Sequence, residues 1–312
     1  MTMILCCGEA LIDMVPDETA HGDRCMVPKS GGAVFNTAIA LGRLGADVSL
    51  FTGVSNDLFG RQLTQELQNS SVSCDALVAM DAATSLAFVE LTDGHADYTF
   101  YTNGAADTVL TPDDCPNNLS QVQAAFFGGI SLCTDPTAST LQHLMHQASA
   151  AGCFTMIDPN IRQPFIKDEV SYRARLADMM ATANIVKLSD EDLAWVAQSG
   201  GSVEDQVRHL NLPESTLVLV TKGADGSDAV SHDGRVLARA LTQAVKVADT
   251  IGAGDTFNAG MLSYLADHGA LDRGVKASLA ETTLVAALEF ANSCAAITVS
   301  RQGANPPWRN EL

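Results

Sequence analysis

The chain has 312 residues, of which 46% are hydrophobic, and its 37 Asp and Glu outnumber its 18 Lys and Arg, for a formal net charge of −19. This charge argues against a nucleic-acid-binding protein, which needs surplus cations for phosphate contacts, and against binding to an anionic membrane surface. A chain of this length forms one large α/β domain or two ordinary ones, and it can bury about 75% of its unfolded surface without disulfides or metals.

Short apolar runs alternate with helical patterns along most of the chain. Runs typical of buried strands are residues 4–7, 48–53, 125–128, 154–157, 185–188 and 217–221. Helical patterns occupy residues 36–44, 57–69, 137–151, 171–183 and 190–198. This alternation predicts parallel strands joined by right-handed crossovers. We therefore expect a single α/β domain over residues 1–312, with a doubly wound, mostly parallel sheet, helices on both faces and ligands beyond the carboxyl ends of the strands.

One region departs from this alternation. Residues 86–91 and 96–101 flank Thr92-Asp93-Gly94-His95, and Asp-Gly between two strand-like runs is a strong hairpin signal. Together with residues 12–29, this hairpin predicts a small antiparallel sheet, a β-lid formed by segments of about 12–29 and 84–107. A second hairpin is predicted from residues 228–230 and 236–239 around Asp233-Gly234.

Cysteine spacing and the N-terminus bear on the compartment. The eight cysteines, at positions 6, 7, 25, 74, 115, 133, 153 and 294, form no C-x-x-C pair, which predicts free thiols in a reducing cytosol. The N-terminus lacks the basic segment of a signal peptide. The most apolar stretch, residues 284–299, contains Glu289 and Asn292 and is too short to span a bilayer. These patterns predict a cytoplasmic protein.

The segment Asp249-Thr250-Ile251-Gly252-Ala253-Gly254-Asp255-Thr256-Phe257 carries the clearest chemical signal. Its small residues let backbone N–H groups approach a ligand closely, and the apolar-faced helix that follows offers an N-terminus suited to a phosphate. Asp255 stands at that start, where a base accepting a hydroxyl proton is needed. The alternative is an ordinary turn with Asp255 as helix cap. A G-x-G-x-x-G after the first strand and a G-x-x-x-x-G-K-[ST] loop are both absent from the sequence.

A second segment, Gly31-Gly32-Ala33-Val34-Phe35-Asn36, opens the helix predicted at 36–44. Paired glycines permit close approach of the backbone, and Asn36 can both donate and accept hydrogen bonds, which suits a polyol. The alternative is a structural turn with Asn36 as the N-cap.

Together these segments resemble the two signatures of the ribokinase/pfkB-type carbohydrate kinases. The resemblance rests on Gly31-Gly32-x-x-x-Asn36 with Leu41-Gly42-Arg43-Leu44-Gly45, on Gly53-x-x-x-Asp57-x-x-Gly60, and on Asp249-Thr250-x-Gly252-Ala253-Gly254-Asp255-Thr256-Phe257. It extends from Gly8-Glu9-Ala10-Leu11-Ile12-Asp13 to Arg301-Gln302-Gly303-Ala304. It implies a ribokinase-like fold with a small β-lid, an ATP-dependent sugar kinase that uses Mg²⁺, and a homodimer formed through the lid.

The resemblance also implies roles for the matching residues. Asp255 is the expected catalytic base, with the amides of Gly252, Ala253 and Gly254 holding the charge of the transferring phosphoryl group. The residues expected at the sugar are Asp13, Gly31, Gly32, Asn36, Phe100, Arg162 and Asp255. Those expected at ATP are Lys187, Ser189, Thr221, Gly223, Gly226, Gly252, Gly254 and Asn292. Those expected at metals are Asp192 for Mg²⁺, through water, and Asp249, Ile251, Thr298, Arg301 and Gly303 for a monovalent cation such as K⁺.

Two departures bear on the metal and the sugar. Where the family usually has Asn-x-x-Glu, this chain has Ser189-x-x-Asp192, which keeps oxygen donors for water-mediated magnesium binding. Segments 100–107, 129–132 and 158–162 resemble the fructokinase and 2-keto-3-deoxygluconate kinase branch, whose keto-acid kinases tend to place an Arg where this chain has Thr102. A neutral residue there favours a neutral sugar, D-fructose, because it cannot pair a substrate carboxylate. A 2-keto-3-deoxygluconate kinase, another pfkB-type sugar kinase and a non-catalytic sugar-sensing protein remain alternatives.

Overall fold

The computed structural model describes residues 3–92, 95–271 and 279–312, and its strands form two separate sheets. In chain order the strands are β1 (Met3–Cys7), β2 (Leu11–Glu18), β3 (Arg24–Gly31), β4 (Val48–Ser55), β5 (Leu77–Met80), β6 (Leu86–Thr92), β7 (His95–Tyr101), β8 (Val122–Gly128), β9 (Phe154–Asp158), β10 (Ile185–Ser189), β11 (Leu217–Thr221), β12 (Ser227–Ser231) and β13 (Val236–Ala240). The helices are α1 (Ala33–Arg43), α2 (Leu58–Asn69), α3 (Thr137–Ala150), α4 (Glu169–Thr182), α5 (Asp190–Ala197), α6 (Val203–His209), α7 (Ala253–Asp267) and α8 (Glu281–Val299). The predicted strands and helices are confirmed, and β5, α6 and α8 are additions to that set.

The large sheet is doubly wound. Within the described residues its strand order is β13-β12-β11-β10-β9-β8-β1-β4-β5. The strands from β11 to β5 in this order are parallel, whereas β12 and β13 add the predicted second hairpin as an antiparallel edge. The chain leaves β1 toward β4 and later enters β8 on the other side of β1. The carboxyl ends of the strands at such a switch point are where ligands bind.

The two faces of the large sheet are covered by different helices, because successive side chains of a strand point to opposite faces. Ile4 and Cys6 of β1 belong to the apolar core shared with α1, α2, α7 and α8, whereas Leu5 and Cys7 belong to the core shared with α3, α4, α5 and α6. This arrangement confirms the predicted α/β fold. All eight cysteines are free thiols, as predicted.

Helix α8 packs within the domain. By length and composition it is the one helix among the described residues that could cross a membrane. The apolar stretch identified in the sequence, residues 284–299, is shorter than this helix, because the helix begins at Glu281. The helix packs against α7 and β13, and its Leu284, Leu288 and Ala291 are buried. Its apolar side therefore has a partner inside the protein.

The second sheet corresponds to the predicted small sheet. Among the described residues its strand order is β3-β2-β6-β7. The pairs β2–β3 and β6–β7 are antiparallel, but β2 and β6 run parallel, so that the sheet is mixed and not purely antiparallel as expected. Of the predicted hairpin turn, Asp93 and Gly94 lie outside the described residues. The small sheet joins the large domain where β2 follows β1 and where β3 leads into α1.

Hydrogen bonds also hold the β6–β7 hairpin of the small sheet to the large domain. Just before β6, Thr84 donates from its backbone N–H and its Oγ1 to the carboxylate of Asp57 at 2.9 and 2.7 Å. Asp57 is the N-cap of α2 in the large domain. The hydroxyl of Ser85 donates to the buried carboxylate of Asp107, which follows β7. The start and the end of the β6–β7 hairpin are therefore held together at the edge of the large domain.

Candidate active site

Asp255 and Asn36 meet in the candidate site, although 219 residues separate them in the chain. Asp255 is the third residue of α7, which follows Gly252 in the left-handed conformation (φ 78°). Its carboxylate Oδ2 accepts a hydrogen bond from Nδ2 of Asn36 at 2.9 Å, and its backbone carbonyl accepts one from Oγ1 of Thr37 at 3.3 Å. Helices α1 and α7 are therefore fixed against each other at the predicted base and a predicted sugar residue.

The carboxylate of Asp255 is buried, with 7% of the residue exposed. Burial is the largest influence on its pKa and raises it to about 7. The hydrogen bond from Asn36 and the charge of Lys187 lower the pKa, whereas the charge of Asp158 raises it. A helix N-terminus favours the ionised form, but the loss of solvent outweighs that effect here. Asp255 can therefore change its protonation state near neutral pH, the range in which a general base works best.

A buried ion pair lies beside Asp255. Nζ of Lys187 on β10 donates to Oδ2 of Asp158 at the end of β9 at 2.9 Å, and neither side chain is more than 5% exposed. Nδ2 of Asn258, about one turn after Asp255 on α7, donates to the same oxygen at 2.7 Å. A Cβ on Gly254 would lie 3.1 Å from Nζ of Lys187. The missing side chain at Gly254 therefore lets this ammonium group approach the first turn of α7, where a phosphate is expected.

Asp192 holds the loop that follows β9. Its Oδ1 accepts a hydrogen bond from the N–H of Ile161 at 3.2 Å, and burial, reinforced by Asp158, raises its pKa. Ser189 is the N-cap of α5, and its Oγ accepts a hydrogen bond from the N–H of Asp192 at 3.0 Å. Arg162 lies in the same loop, where its exposed guanidinium donates to the carbonyl of Ile161 at 3.0 Å. The predicted magnesium residue is thus adjacent to the segment that carries a predicted sugar residue.

The turn of Gly31 and Gly32 is shaped around two acidic residues. A Cβ on Gly31 would lie 2.2 Å from Oδ2 of Asp13, and one on Gly32 (φ 108°) would lie 2.9 Å from the carbonyl oxygen of Glu9. Burial raises the pKa of Asp13 to about 6. Since the same turn begins the helix of Asn36, four predicted sugar residues meet where the small sheet joins α1.

A cavity lies between the base of the small sheet and the turn after β8. Its lining residues are Thr102, Asp107, Thr108, Ile130, Ser131, Thr134, Thr137 and Phe165. Most of these side chains carry a hydroxyl, and burial raises the pKa of Asp107 to about 7. The ring of Phe100 packs edge-on against that of Phe165, with centroids 4.1 Å apart. The predicted sugar residue Phe100 therefore supports the wall of this small cavity.

The predicted nucleotide residues after β11 form a compact turn. Thr221 ends β11, and Gly223–Asp225 form a short 3₁₀ turn. Gly226 has φ 86°, and a Cβ there would lie 2.1 Å from the carbonyl oxygen of Ala240. Asn292 of α8 is buried, and its Nδ2 donates to that same carbonyl at 3.2 Å. The four predicted residues are thus in one region, but the amide of Asn292 also fastens α8 to β13.

Four of the five residues predicted for a monovalent cation lie in two neighbouring loops, and Thr298 lies in the last turn of α8. Both oxygens of Asp249 accept backbone hydrogen bonds, from Ile251 at 3.0 Å and from Gly303 at 2.9 Å. The hydroxyl of Thr298 bonds to a threonine of α7 at 3.0 Å, and Arg301 pairs with a carboxylate of the C-terminal segment at 2.6 Å. These side chains are already engaged, so a cation in this loop would depend on backbone carbonyls.

The sequence prediction gave no role to Glu9, Asp158 or Asn258, which contact other residues of this site. Glu9 follows the predicted strand 4–7, and Asp158 follows the predicted strand 154–157. Polar residues just beyond the carboxyl end of a buried strand belong to the ligand edge of a parallel sheet, so this position could have identified both. Asn258 lies on the same helix as Asp255, but its partner Asp158 comes from a distant part of the chain.

Comparisons with known proteins identify the family of this chain. Residues 1–311 match the family described as pfkB family carbohydrate kinase. Over 282 residues the chain is 42% identical to a fructokinase of Rhizobium leguminosarum bv. trifolii, an alignment that covers 90% of this chain and 85% of that protein.

Solved structures share the fold. The fructokinase of Xylella fastidiosa with bound ATP has a TM-score of 0.85 at 30% identity, covering 97% of this chain and 93% of that one. A double mutant of the fructokinase of Vibrio cholerae O395, with fructose, ADP and a potassium ion bound, has a TM-score of 0.83 at 27% identity, covering 97% and 94%. The resemblance recognised in the motifs is thereby confirmed along nearly the whole chain.

Proposed function

Since the chain belongs to the pfkB family of carbohydrate kinases and is therefore a sugar kinase, we propose that it transfers the γ-phosphoryl group of ATP to a hydroxyl of D-fructose. The identity of 42% to a fructokinase supports this choice of sugar. The observation in this chain that carries the proposed reaction is the hydrogen-bonded pair of Asn36 and Asp255 at the start of α7.

Asp255 is the group that we assign as the base. Its carboxylate can accept the proton of a sugar hydroxyl as that oxygen attacks the phosphoryl group. Asn36 orients the carboxylate through Nδ2, and its Oδ1 is an acceptor suited to a sugar hydroxyl. Asp13, lodged beside Gly31, offers further acceptor oxygens. Gly32 lies in the same turn and brings the backbone close to the sugar.

The start of α7 and Lys187 supply the positive charge that phosphoryl transfer needs. The first N–H groups of α7 have no acceptor within the helix, no side chain caps them at Gly252, and the helix dipole favours an anion there. The N–H of Ala253 turns back to the carbonyl of Thr250 at 3.3 Å. The charge of the transferring group is therefore assigned to the amides of Gly252 and Gly254 and to Lys187. Such local charge offsets a net charge of −19 that opposes the approach of ATP.

Asp192 is the residue that we propose for Mg²⁺, through water. The described residues contain no group of three His, Cys, Asp or Glu side chains that could hold a metal ion. This fits Mg²⁺, which keeps several waters and binds through one or two carboxylates and the phosphates of its substrate. Bound Mg²⁺ would neutralise charge on those phosphates. Ser189 supports the site by capping the helix of Asp192.

A potassium ion is proposed for the loop of Asp249, Ile251, Thr298, Arg301 and Gly303. The hydrogen bonds of Asp249 to both segments hold the loop closed next to Gly252. With that carboxylate engaged, backbone carbonyls are the available ligands. The Vibrio relative was solved with a potassium ion bound.

The nucleotide is assigned to the turn after β11. Thr221, Gly223 and Gly226 would bind ATP through this turn, in which residues 223–225 are exposed, and Asn292 would border the adenine. Gly223 (φ 56°) and Gly226 (φ 86°) both have positive φ angles, which glycine adopts readily. They support this assignment because a tight turn without side chains lets the backbone come close to a ligand.

The sugar specificity is assigned to the side chains that border the small cavity beside the small sheet. A substrate carboxylate placed there would meet the buried carboxylate of Asp107 and the neutral Thr102, whereas a sugar hydroxyl can bond to either. Phe100 supports the cavity wall, and we propose that Arg162 meets the sugar or the triphosphate. These groups favour fructose over 2-keto-3-deoxygluconate.

We further propose that residues 12–29 and 84–107 act as a lid on a single domain and that the lid also forms a homodimer in the cytoplasm. Closure over the sugar would exclude water, which competes as phosphoryl acceptor. The mixed small sheet at the edge of the site supports a lid, and light scattering of the purified enzyme tests the dimer.

The test of the proposed function is ADP release measured with ATP over a panel of neutral sugars and 2-keto-3-deoxygluconate. We expect D-fructose to give the highest kcat/KM. A different preferred sugar would replace fructose in the proposal. ADP release that does not depend on any sugar of the panel would contradict it, and Asp255→Asn serves as the control for contaminating kinases.

A further inference from the structure

Glu9 is a buried carboxylate that the proposed reaction does not use. It follows β1 and is 2% exposed. Among the described residues, no lysine, arginine or histidine forms an ion pair with it. Burying a carboxylate without a cation is costly unless hydrogen bonds replace the lost water. The groups that donate hydrogen bonds to Glu9 are therefore the groups that this carboxylate holds in place.

Both oxygens of Glu9 accept hydrogen bonds from backbone N–H groups. Oε1 accepts from Ala33, the first residue of α1, at 2.9 Å, and Oε2 accepts from Ser131, in the turn after β8, at 3.2 Å. The residue before α1, Gly32, has no side chain to cap the helix. Glu9 therefore caps α1 from another part of the chain, at the end where the helix dipole favours a negative charge.

Two glycines leave the space that this carboxylate fills. A Cβ on Gly129 (φ 72°) would lie 2.1 Å from Oε1 and 2.3 Å from Oε2 of Glu9. A Cβ on Gly32 (φ 108°) would lie 3.2 Å from its Cγ and 2.9 Å from its carbonyl oxygen. The turns on both sides are therefore shaped to the glutamate.

The two turns that Glu9 joins border the sugar site. The first begins the helix whose Asn36 donates to the carboxylate of Asp255 at 2.9 Å, and the N–H of Asn36 itself donates to the carbonyl of Gly32 at 2.8 Å. The second carries Ser131, which lines the cavity beside the small sheet. A change in the spacing of these turns would directly move groups assigned to the sugar, whereas the groups assigned to ATP lie on other elements.

We propose that Glu9 is a positioning residue, which holds the turns at 31–33 and 129–131 at a fixed spacing and so sets sugar affinity without touching the sugar. The inference rests on the proposed function for the identity of the site as a sugar site. Glu9→Gln tests it, because an amide nitrogen would face one of the two N–H donors. Gly129→Ala tests it independently, by placing a methyl group against the same carboxylate.

The experiment measures KM for fructose and for ATP separately, in variants whose folding is checked by thermal unfolding. Because each change leaves a buried hydrogen bond unmade or distorted, we expect KM for fructose to rise about tenfold or more in Glu9→Gln and Gly129→Ala. KM for ATP should stay within about twofold of the wild-type value, since the residues assigned to the phosphates of ATP lie on other elements. Gly45→Ala is the matched control. Gly45 follows the other end of α1 and, like Gly129, has a positive φ angle (85°), but nothing lies within 4 Å of its Cβ position.

Equal rises in the two KM values, or no rise in either variant, would overturn the inference. Should Glu9→Gln fail to fold, the same comparison on Gly129→Ala decides. A double variant sharpens the test, because Glu9→Ala removes the collision partner and should reduce the effect of Gly129→Ala on KM. If the wild type prefers another sugar of the panel, the measurement uses that sugar, so a wrong substrate and a wrong role for Glu9 remain distinguishable.

Discussion

Asp255 is the residue on which the proposed chemistry depends. We expect Asp255→Asn to lower kcat by about 10²- to 10⁴-fold, because the amide cannot take the proton of the attacking hydroxyl. The fold should survive, since the amide oxygen of the variant can still accept the hydrogen bond from Asn36. The measurement is kcat beside calorimetric binding of sugar and ATP. Asp267→Asn, at the exposed end of the same helix, is the control.

Normal binding of both substrates with more than about a tenth of the wild-type kcat would show that Asp255 is not the base. Loss of binding together with kcat would instead mean that the carboxylate serves mainly in substrate recognition.

The protonation of Asp255 predicts the pH dependence of the reaction. Its pKa is raised by burial to about 7 in the free enzyme, and a base must be ionised to act. The value of kcat/KM should therefore increase as the pH rises through about 7 and then level off. Replacing Asn36 by Ala removes a hydrogen bond that lowers this pKa, so the midpoint should move to higher pH. A profile that stays flat across neutrality in the wild type would exclude Asp255 as the titrating base.

Thr102 carries the prediction about the sugar. We expect D-fructose to have a higher kcat/KM than 2-keto-3-deoxygluconate, and Thr102→Arg to narrow the difference, because a guanidinium can pair a substrate carboxylate. Both substrates are measured on both enzymes. Thr108→Arg, at another position in the cavity wall, tests whether any added cation has the same effect. A wild-type preference for the keto acid of about tenfold or more would reverse the assignment of the substrate.

At the scale of elements, the β6–β7 hairpin is expected to respond to the sugar. If it closes as a lid, saturating fructose should slow hydrogen exchange of its backbone amides, because closure suppresses local opening. Mass spectrometry of peptides from β6 and β7 measures this effect. Peptides from α4, whose residues are assigned to neither ligand, are the internal reference. Unchanged exchange in the hairpin with sugar bound would count against a lid.

At the scale of the molecule, buried carboxylates set how stability depends on pH. Burial raises the pKa values of Asp107 and Asp255 to about 7. A carboxyl whose pKa is higher in the folded state favours folding when protonated, and this contribution is lost as the pH rises through the folded-state value. We therefore expect the Tm of the free enzyme to fall between about pH 5 and about pH 7, above the ordinary pKa of an aspartate and up to the folded-state value, and to level off above that.

The variant that tests this effect is Asp107→Asn, which keeps an oxygen acceptor for Ser85 but carries no charge. Calorimetry at both pH values should show a smaller fall in Tm than in the wild type. Asp168→Asn, a change at the exposed N-cap of α4, should show the wild-type fall. Equal falls in all three proteins would mean that Asp107 does not ionise in this range.

The local sequence pattern was sufficient to predict much of the fold and the two glycine turns of the site. Alternating apolar runs and helical periodicity predicted the parallel sheet and its helices, because burial on both faces of a strand is visible in a few consecutive residues. The glycines at 31, 32, 252 and 254 marked the two turns of the site, because close backbone approach and positive φ angles restrict the residue type. The order and spacing of these motifs identified the family.

The tertiary structure decided how these parts work together. The hydrogen bond of Asn36 to Asp255 and the ion pair of Lys187 with Asp158 each join elements that are remote in sequence. The pKa of Asp255 could not be inferred from its place at a helix start, because burial by other elements outweighs the helix dipole. Glu9 likewise gains a role only where folding brings two distant N–H groups to its carboxylate. Burial and charge at a site are sums over the whole fold, whereas a motif records only its own segment.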